Sequence, residues 1–293
     1  VPYTSASSGR HFSGSYLSRM AVCDSERPAV VDDRSSLVLV GCRISAIFSD
    51  VWFGLNRLPY QWNWKETVTE VPNPEPSVLV VLVHGLRGHP SCFRSYIAAI
   101  LAVRPDARIV IPYVHKRGLC TLDEASQPII DLVKDHLSDV GPQVPVWLIG
   151  TSNGGRIVAN VESSLRDLNS IIHTVTIGAP LGGSRAMWLV DAISPQLSEF
   201  YLPNGLAEEL RPESNRSARL LAAIRRPVRN PLAKRAYTCT VTLDEHNIWP
   251  PNYALPLLNV PVQHAYTDAV GHSAVTAACR DYVIARLTDT DVF

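Results

Sequence analysis

The sequence has none of the patterns that mark nucleotide-binding or metal-binding proteins. Its glycines at positions 150, 154 and 155 do not form G-x-G-x-x-G, and G-x-x-x-x-G-K-[ST] occurs nowhere, so a phosphate-binding loop of either kind is excluded. No two of the six cysteines form a C-x-x-C pair. The sequence therefore gives no reason to expect a cofactor or a metal.

An excess of charge and a long apolar run are also missing. The 293 residues include 27 basic and 27 acidic side chains, and a net charge of zero gives no indication of a nucleic-acid partner. The apolar segments fall short of the roughly 20 residues that a membrane-spanning helix needs, so none is expected. Residues 1–36 are polar and lack the apolar stretch of a signal peptide, so none is expected there.

The composition indicates a folded α/β protein. Charged residues make up 18% of the chain and apolar residues 46%, which argues against disorder. The length suits a single domain. The even number of cysteines permits three disulfides, while buried free thiols are the equal alternative. The six are Cys23, Cys42, Cys92, Cys120, Cys239 and Cys279.

Residues 1–70 are predicted to form an N-terminal extension. Apolar residues recur at spacings of three and four between Leu37 and Leu55, which predicts a helix with a broad apolar face. The start of this stretch, Leu37 to Val40, would equally suit a strand. The proline-rich residues 71–76 can continue neither helix nor sheet and indicate a linker.

Strands and helices alternate from Ser77 onwards, which predicts a mostly parallel sheet with helices on both faces. The alternation stops at residues 183–235, which indicates a lid or cap inserted between the strands at 171–177 and 236–243 of an α/β domain at 71–293. The predicted strands are 78–83, 107–111, 144–149, 171–177, 236–243 and 262–266. The predicted helices are 91–103, one that opens at Thr121 with a capping box, one over 157–168, and 273–287.

A candidate nucleophile lies between a predicted strand and a predicted helix. Gly150, Ser152 and Gly154 form the pattern G-x-S-x-G directly after the strand at 144–149. The nucleophile elbow of hydrolases requires this context, because the turn exposes the serine hydroxyl above the sheet. The alternative is an ordinary strand-to-helix turn that uses glycine and serine for its geometry.

An acyl transfer at Ser152 requires backbone N–H groups that bind the oxygen of the tetrahedral intermediate. We expect one from Asn153, the residue after the serine. The strand at 78–83 runs directly into residues 84–88, His-Gly-Leu-Arg-Gly, and we expect the second from Leu86. A tight strand exit is the alternative role for these glycines. His84 precedes a glycine at a strand end, which predicts a structural histidine bound to loop backbone.

Three segments together resemble the lipase and esterase branch of the α/β-hydrolase superfamily. They are HGLRG at 84–88, LIGTSNGG at 148–155 and TIGAPLGG at 176–183, and residues 206–214 more loosely resemble a lid segment of related proteins. The resemblance covers about residues 77–290. It implies the α/β-hydrolase fold and hydrolysis of lipid or other apolar esters through an acyl-serine intermediate. Thioesterase, amidase or acyltransferase activity on the same residues, or a catalytically silent binding protein, are the alternatives.

The α/β-hydrolase fold places its acid and its histidine after the serine, in that order. His272 lies in a loop before the final predicted helix, where the superfamily has its catalytic histidine, and His264 is the alternative. His173 lies inside a predicted strand and is expected to be a core or edge residue.

The acid should follow the strand before that of the histidine. Asp244 comes directly after the strand at 236–243 and is our choice. Glu245 competes with it, because aligning the following Pro250 and Pro251 with family members puts His246 where the aspartate usually stands. Asp268 is a weaker candidate.

The predicted insertion is basic. From position 211 to 235 it has eight basic residues against one acid, Glu213, with leucine and isoleucine among them. This pattern predicts peripheral contact with anionic lipid headgroups, and a solvated helix face is an equally good explanation.

Overall fold

The computed structural model describes residues 21–23, 68–185, 206–212, 214–242, 248, 254–267 and 271–288. The strands are β1 (Ala21–Cys23), β2 (Thr69–Val71), β3 (Val78–Val83), β4 (Ala107–Ile111), β5 (Val146–Thr151), β6 (Ile171–Ile177), β7 (Lys234–Thr242) and β8 (Val262–Thr267). The helices are α1 (Arg94–Val103), α2 (Leu122–Val140), α3 (Asn153–Leu165), α4 (Leu206–Glu209), α5 (Asn215–Arg225), α6 (Val275–Ala278) and α7 (Arg280–Leu287). Short 3-10 helices occupy Pro90–Phe93 and His115–Gly118.

The strands form one sheet in the order β1-β8-β7-β6-β5-β3-β4-β2. The six strands from β8 to β4 run parallel, and the edge strands β1 and β2 run antiparallel to their neighbours. The prediction of a mostly parallel sheet with helices on both faces is confirmed.

Strand β3 shows why the aliphatic runs become central strands. All six of its side chains are at most 2% exposed, because successive residues alternate between two cores. One core contains Leu79, Val81 and Val83 together with residues of α2, α3 and α5. The other contains Val78, Val80 and Leu82 together with residues of α1 and α7. A run without polar residues is what a sheet covered on both faces requires.

The predicted boundary at residue 70 falls within β2, and the division of the chain that it marks stays a prediction. Strand β2 pairs with β4, and β1 pairs with His264–Tyr266 of β8, so the predicted extension contributes both edge strands of the sheet. Three-residue edge strands carry little apolar periodicity, which explains why the sequence did not reveal them. The helix predicted between Leu37 and Leu55 lies outside the described residues.

Most predicted elements form with small shifts of their ends. Thr121 and Glu124 make the expected capping box at the start of α2. The predicted helix at 273–287 consists instead of two helices, α6 and α7. They divide at Cys279, whose ψ angle of −5° departs from helical geometry.

The chain changes direction across the sheet between β3 and β5. After β3 it adds β4 on one side and then returns to add β5 on the other, so β3 lies between them. Ligands of open α/β sheets bind in the crevice that such a reversal leaves at the carboxyl ends of the strands. The segments after β3 and β5 are residues 84–88 and Ser152.

Candidate active site

Ser152 lies in a strained turn between β5 and α3. Its φ and ψ angles are 54° and −127°, a conformation that costs a non-glycine residue on the order of 1–3 kcal/mol. Its N–H donates to the carbonyl of Ile177 at 2.8 Å, which fixes the turn against the end of β6. The strain is therefore maintained by the neighbouring strand.

The two outer glycines of G-x-S-x-G let the backbone segments approach closely. A Cβ at Gly150 would lie 2.3 Å from the carbonyl oxygen of Gly154. A Cβ at Gly154 would lie 2.2 Å from the carbonyl oxygen of Val83. Neither distance is possible for a side chain, so the pattern is a steric requirement of this turn.

The loop at 84–88 passes directly beside the serine. A Cβ at Gly85 would lie 2.8 Å from Ser152 Cβ and 3.3 Å from its Oγ. Within the described residues, no backbone carbonyl accepts from the N–H of Leu86 or from that of Asn153, the first residue of α3. Both N–H groups that we expected to bind an oxyanion therefore belong to segments at the serine.

A second loop at residues 115–118, which the sequence did not indicate, is hydrogen-bonded to the loop at 84–88. The Arg87 N–H donates to the Arg117 carbonyl at 2.9 Å, and the Arg117 guanidinium donates to the Arg87 carbonyl. Lys116, Arg117 and Gly118 all have positive φ angles, of 47°, 56° and 80°. Leu86 is the nearest residue to the position that a Cβ would take at Gly118.

His272 reaches the serine from the loop after β8. Its Nε2 lies 2.8 Å from Ser152 Oγ, within hydrogen-bond distance. Gly178, with a φ angle of +54°, lies beside the imidazole, and a Cβ there would be 3.6 Å from His272 Cε1. The structure thus brings together two residues that are 120 positions apart.

A threonine pair connects the serine strand to the histidine loop. The hydroxyls of Thr151 and Thr276 are 2.6 Å apart, and the Tyr96 hydroxyl donates to the Thr276 carbonyl at 2.7 Å. Thr151 directly precedes Ser152, and Thr276 lies one turn after His272. This connection gave no sequence signal, because isolated threonines form no pattern.

The other predicted histidines lie in structural positions. His84 donates from Nδ1 to the Gly85 carbonyl at 2.9 Å, and its burial lowers its pKa, so its predicted structural role is confirmed. His173 is a core residue, as predicted, stacked on Trp147 with ring centroids 4.0 Å apart. The Nε2 of His264 lies 2.9 Å from the Pro256 carbonyl, which occupies one of its ring nitrogens.

The candidate acids Asp244, Glu245 and Asp268 lie outside the described residues. Strands β7 and β8 end opposite each other, since Thr242 pairs with Thr267. The carboxyl ends of β7 and β8 therefore lie side by side. The choice of Asp244 stays a prediction.

A cavity of about 130 Å³ opens above Ser152. Its lining combines the serine, the histidine, the 84–88 loop and the threonine pair with one thiol. The lining residues are His84, Gly85, Leu86, Gly88, Cys92, Thr151, Ser152, His272, Ser273 and Thr276.

No family model and no curated protein matches the sequence, whereas solved structures do. The mature lipase BlEst2 of Bacillus licheniformis superposes with a TM-score of 0.55, covering 77% of this chain and 99% of its own at 11% identity. An esterase of the bacterial hormone-sensitive lipase family superposes with a TM-score of 0.53, covering 87% and 97% at 12% identity. The chain has the α/β-hydrolase fold. This confirms the fold that the three sequence segments implied.

The described part of the predicted insertion packs along α3, the helix that follows Ser152. Leu220 and Ile224 of α5 are at most 2% exposed, in the core that they share with α3. Arg216 forms ion pairs with Asp123 and Glu209. Helix α5 thus belongs to the packed body of the domain.

The basic residues at the end of α5 lie far from Ser152. Arg226 forms an ion pair with Asp167, two residues beyond α3, and Arg225 donates to the Leu257 carbonyl. Helix α3 has 13 residues, so these arginines are roughly 20 Å from the serine. None of the helices that the structure describes is long and apolar enough to cross a bilayer. A lid function and contact with lipid headgroups stay predictions.

The cysteines with described side chains are thiols. Burial raises the pKa of Cys120 to about 11 and of Cys239 and Cys279 to about 12, so these three are protonated at neutral pH. Cys92 is also a thiol, which excludes the alternative of three disulfides.

Proposed function

We propose that this protein is a serine hydrolase that cleaves carboxylic esters through an acyl-serine intermediate. The observation that carries the proposal is the 2.8 Å separation of His272 Nε2 and Ser152 Oγ, on a serine held at positive φ beside a cavity. A nucleophile next to a base, both at the surface of a cavity, is the arrangement that acyl transfer requires.

In the proposed reaction, Ser152 Oγ attacks the ester carbonyl carbon while His272 Nε2 takes its proton. The carbonyl oxygen becomes an oxyanion and accepts hydrogen bonds from the N–H groups of Leu86 and Asn153. His272 then gives the proton to the departing alkoxide, which leaves the acyl group on the serine. A water molecule, deprotonated by His272, releases the acid, and Asp244 orients the imidazole throughout. All the groups in these steps belong to this chain.

We propose lipids or other apolar acyl esters as substrates. Leu86 lines the cavity, and its side chain packs on the buried residues Leu206 and Leu210. An apolar surface beside the reacting carbonyl favours a hydrocarbon acyl group over a polar one. A lipase and an esterase also stand among the similar structures.

Covalent labelling with a fluorophosphonate tests the proposed nucleophile. The reagent should phosphonylate the wild-type protein once, and Ser152→Ala should take up none while it melts within a few degrees of the wild type. The same variant should lose nearly all turnover of p-nitrophenyl butyrate. Labelling that persists in Ser152→Ala would place the nucleophile elsewhere.

The substrate class requires a separate measurement. A series of p-nitrophenyl esters of increasing acyl length should show kcat/KM rising with apolar area, and matched thioesters and anilides should react more slowly. Faster thioester turnover would indicate a thioesterase. No label and no turnover in the wild type would indicate a silent binding protein.

A further inference from the structure

Arg156 is a buried cation that the proposed reaction does not use. It follows Ser152 by one turn of α3, is 1% exposed, and has a pKa lowered to about 10 by its burial, so it is charged at neutral pH. Side chains of a helix lean towards its N-terminus, which directs this guanidinium towards the serine end of α3. Its hydrogen bonds therefore act close to the site.

The guanidinium joins the segment after β6 to helices α4 and α5. Its Nη1 donates to the Pro180 carbonyl and to Ser217 Oγ, both at 3.2 Å, and its Nη2 donates to the Glu209 carbonyl at 3.1 Å. Pro180 lies two residues after Gly178, where an added Cβ would be 3.6 Å from His272 Cε1. Glu209 is the last residue of α4.

The Glu209 carbonyl is held by three donors. Besides Arg156, the hydroxyls of Ser214 and Ser217 each donate to it at 3.0 Å. Carbonyls in the last turn of a helix have no partner within the helix, so these donors determine where α4 ends. Arg156 is the one of the three that comes from outside the insertion.

The segment around Glu209, which these donors hold, packs on the loop at 84–88. Leu206, Ala207 and Leu210 are between 3% and 8% exposed, and Leu86 and Leu119 pack against them. We call Leu206, Ala207 and Leu210 the apolar wall. A displacement of this wall would remove the packing that holds Leu86, whose N–H lies in a loop beside Ser152.

We propose that Arg156 is a positioning residue for the hydrolysis: it holds the apolar wall against Leu86 and thereby keeps the Leu86 N–H aimed at the oxyanion. This inference rests on the proposed function. A buried charge stabilises a fold poorly compared with an apolar side chain of the same size, so stability alone gives little reason for an arginine here. Its five donors are spread over a rigid planar fork, so Nη1 and Nη2 bind carbonyls of two separate segments, whereas the three donors of lysine all come from one atom on a flexible stem.

The matched substitutions Arg156→Lys and Arg235→Lys test the proposal. Arg235 is likewise buried, with a pKa also lowered to about 10, but it donates to the Leu165 and Leu168 carbonyls at the other end of the sheet. Rates are expressed per active site titrated with fluorophosphonate. We expect Arg156→Lys to lower kcat for p-nitrophenyl butyrate about 10-fold or more and to change KM less than about 2-fold. Complete loss of one oxyanion donor lowers kcat by a factor on the order of 10²–10³, and a displaced donor should lower it by less. Arg235→Lys should leave kcat unchanged.

Leu206→Ala provides the same test with Arg156 intact. The substitution removes packing between the apolar wall and Leu86, so it should also lower kcat per titrated site. This test remains valid if Arg156→Lys folds poorly. An unchanged kcat in either variant, or a change confined to KM or to the melting temperature, would overturn the proposal.

Hydrogen–deuterium exchange separates this inference from the proposed function. Arg156→Lys should accelerate exchange at residues 84–88 and 206–210, whereas Arg235→Lys should not. If the wild type takes up no fluorophosphonate and turns over no ester, the proposed function fails and the catalytic role of Arg156 fails with it. If the wild type is active and exchange at 84–88 is unaffected by Arg156→Lys, this inference alone fails.

Discussion

The two ends of the parallel sheet use buried polar residues for different purposes. At the carboxyl ends of the strands, Ser152 is strained and its hydroxyl meets His272 beside a cavity. At the amino ends, Glu162, Arg166 and Arg235 lie together with side chains that are 0% exposed. The first end keeps reactive groups accessible, whereas the second encloses its charges completely.

The enclosed cluster connects α3 to β7. Glu162 Oε2 accepts from Arg166 Nη1 at 2.8 Å and from the Tyr237 hydroxyl at 2.7 Å. Burial raises the pKa of Glu162, against the opposing effect of the arginines. Helix α3 thus begins at the proposed nucleophile, which we call its reactive end, and finishes at the charge cluster, which we call its structural end. Substitutions at the reactive end should lower activity, whereas those at the structural end should lower stability.

The largest effect is expected at the reactive end, from Asp244→Asn. If Asp244 orients His272, the amide will favour the wrong imidazole tautomer and kcat should fall on the order of 10⁴-fold. The neighbouring change Glu245→Gln should cost little, and both variants should unfold like the wild type in urea. A heavy loss in Glu245→Gln or Asp268→Asn, with Asp244→Asn active, would reassign the acid.

At the structural end, Glu162→Gln should affect stability and spare the chemistry. It leaves two buried guanidinium groups without their carboxylate, and breaking a buried ion pair costs roughly 3–5 kcal/mol of unfolding free energy. Urea denaturation measures the loss, and kcat per titrated site should equal that of the wild type. The capping-box change Glu124→Gln is the exposed control and should cost little, because glutamine can also accept from the Thr121 N–H. A lower kcat in Glu162→Gln would show that the two ends of α3 are coupled.

A smaller effect concerns acid pH and His173. Burial lowers the pKa of His173 from its ordinary value of 6.5 to about 3. Below pH 6.5 the unfolded chain therefore binds a proton that the folded protein does not, so the stability present above that pH is lost as the pH falls towards 3. For this one group the loss between pH 7 and pH 5 is about 2 kcal/mol. His173→Gln should flatten the dependence by that amount in urea denaturation, and a parallel pH curve would contradict the assignment.

The smallest effect is expected from Arg226→Glu. Arg226 and Asp167 form a pair in which both side chains are about one-third exposed, and exposed pairs contribute roughly 0.2–1 kcal/mol. We expect a stability loss of about that size, unchanged kcat and unchanged binding to anionic vesicles. Weaker vesicle binding would instead support the contact with lipid headgroups that the basic composition predicts.

The sequence predicted those parts of the molecule whose physics is local. Strand β3 has the predicted bounds, because an aliphatic run buried on two faces is continuous along the chain. The turn at Ser152 was predictable, since its glycines satisfy a local steric requirement. The position of His272 beside Ser152 was expected from the chain order and loop position of a known fold.

The features that sequence reasoning missed depend on contacts between distant segments. The role of Arg156 requires carbonyls of two other loops, and that of Thr151 requires Thr276. Arg156 did carry a weak signal, since a charged residue stands among the buried positions of α3, next to Gly155 and Ile157. The short strands β1 and β2 have no internal pattern, and only their pairing defines them.

The chain order of the site has a consequence for how the protein folds. The loop at 84–88, Ser152 and His272 converge from segments spread over most of the chain, and the serine–histidine contact spans 120 residues. Contacts of such separation close large loops and form slowly. Helical signal is therefore expected to return early during refolding from urea, and the proposed activity only once β8 has docked. A proteolytic cut anywhere between β3 and the His272 loop should abolish activity if the fragments dissociate, even where each retains native-like helices.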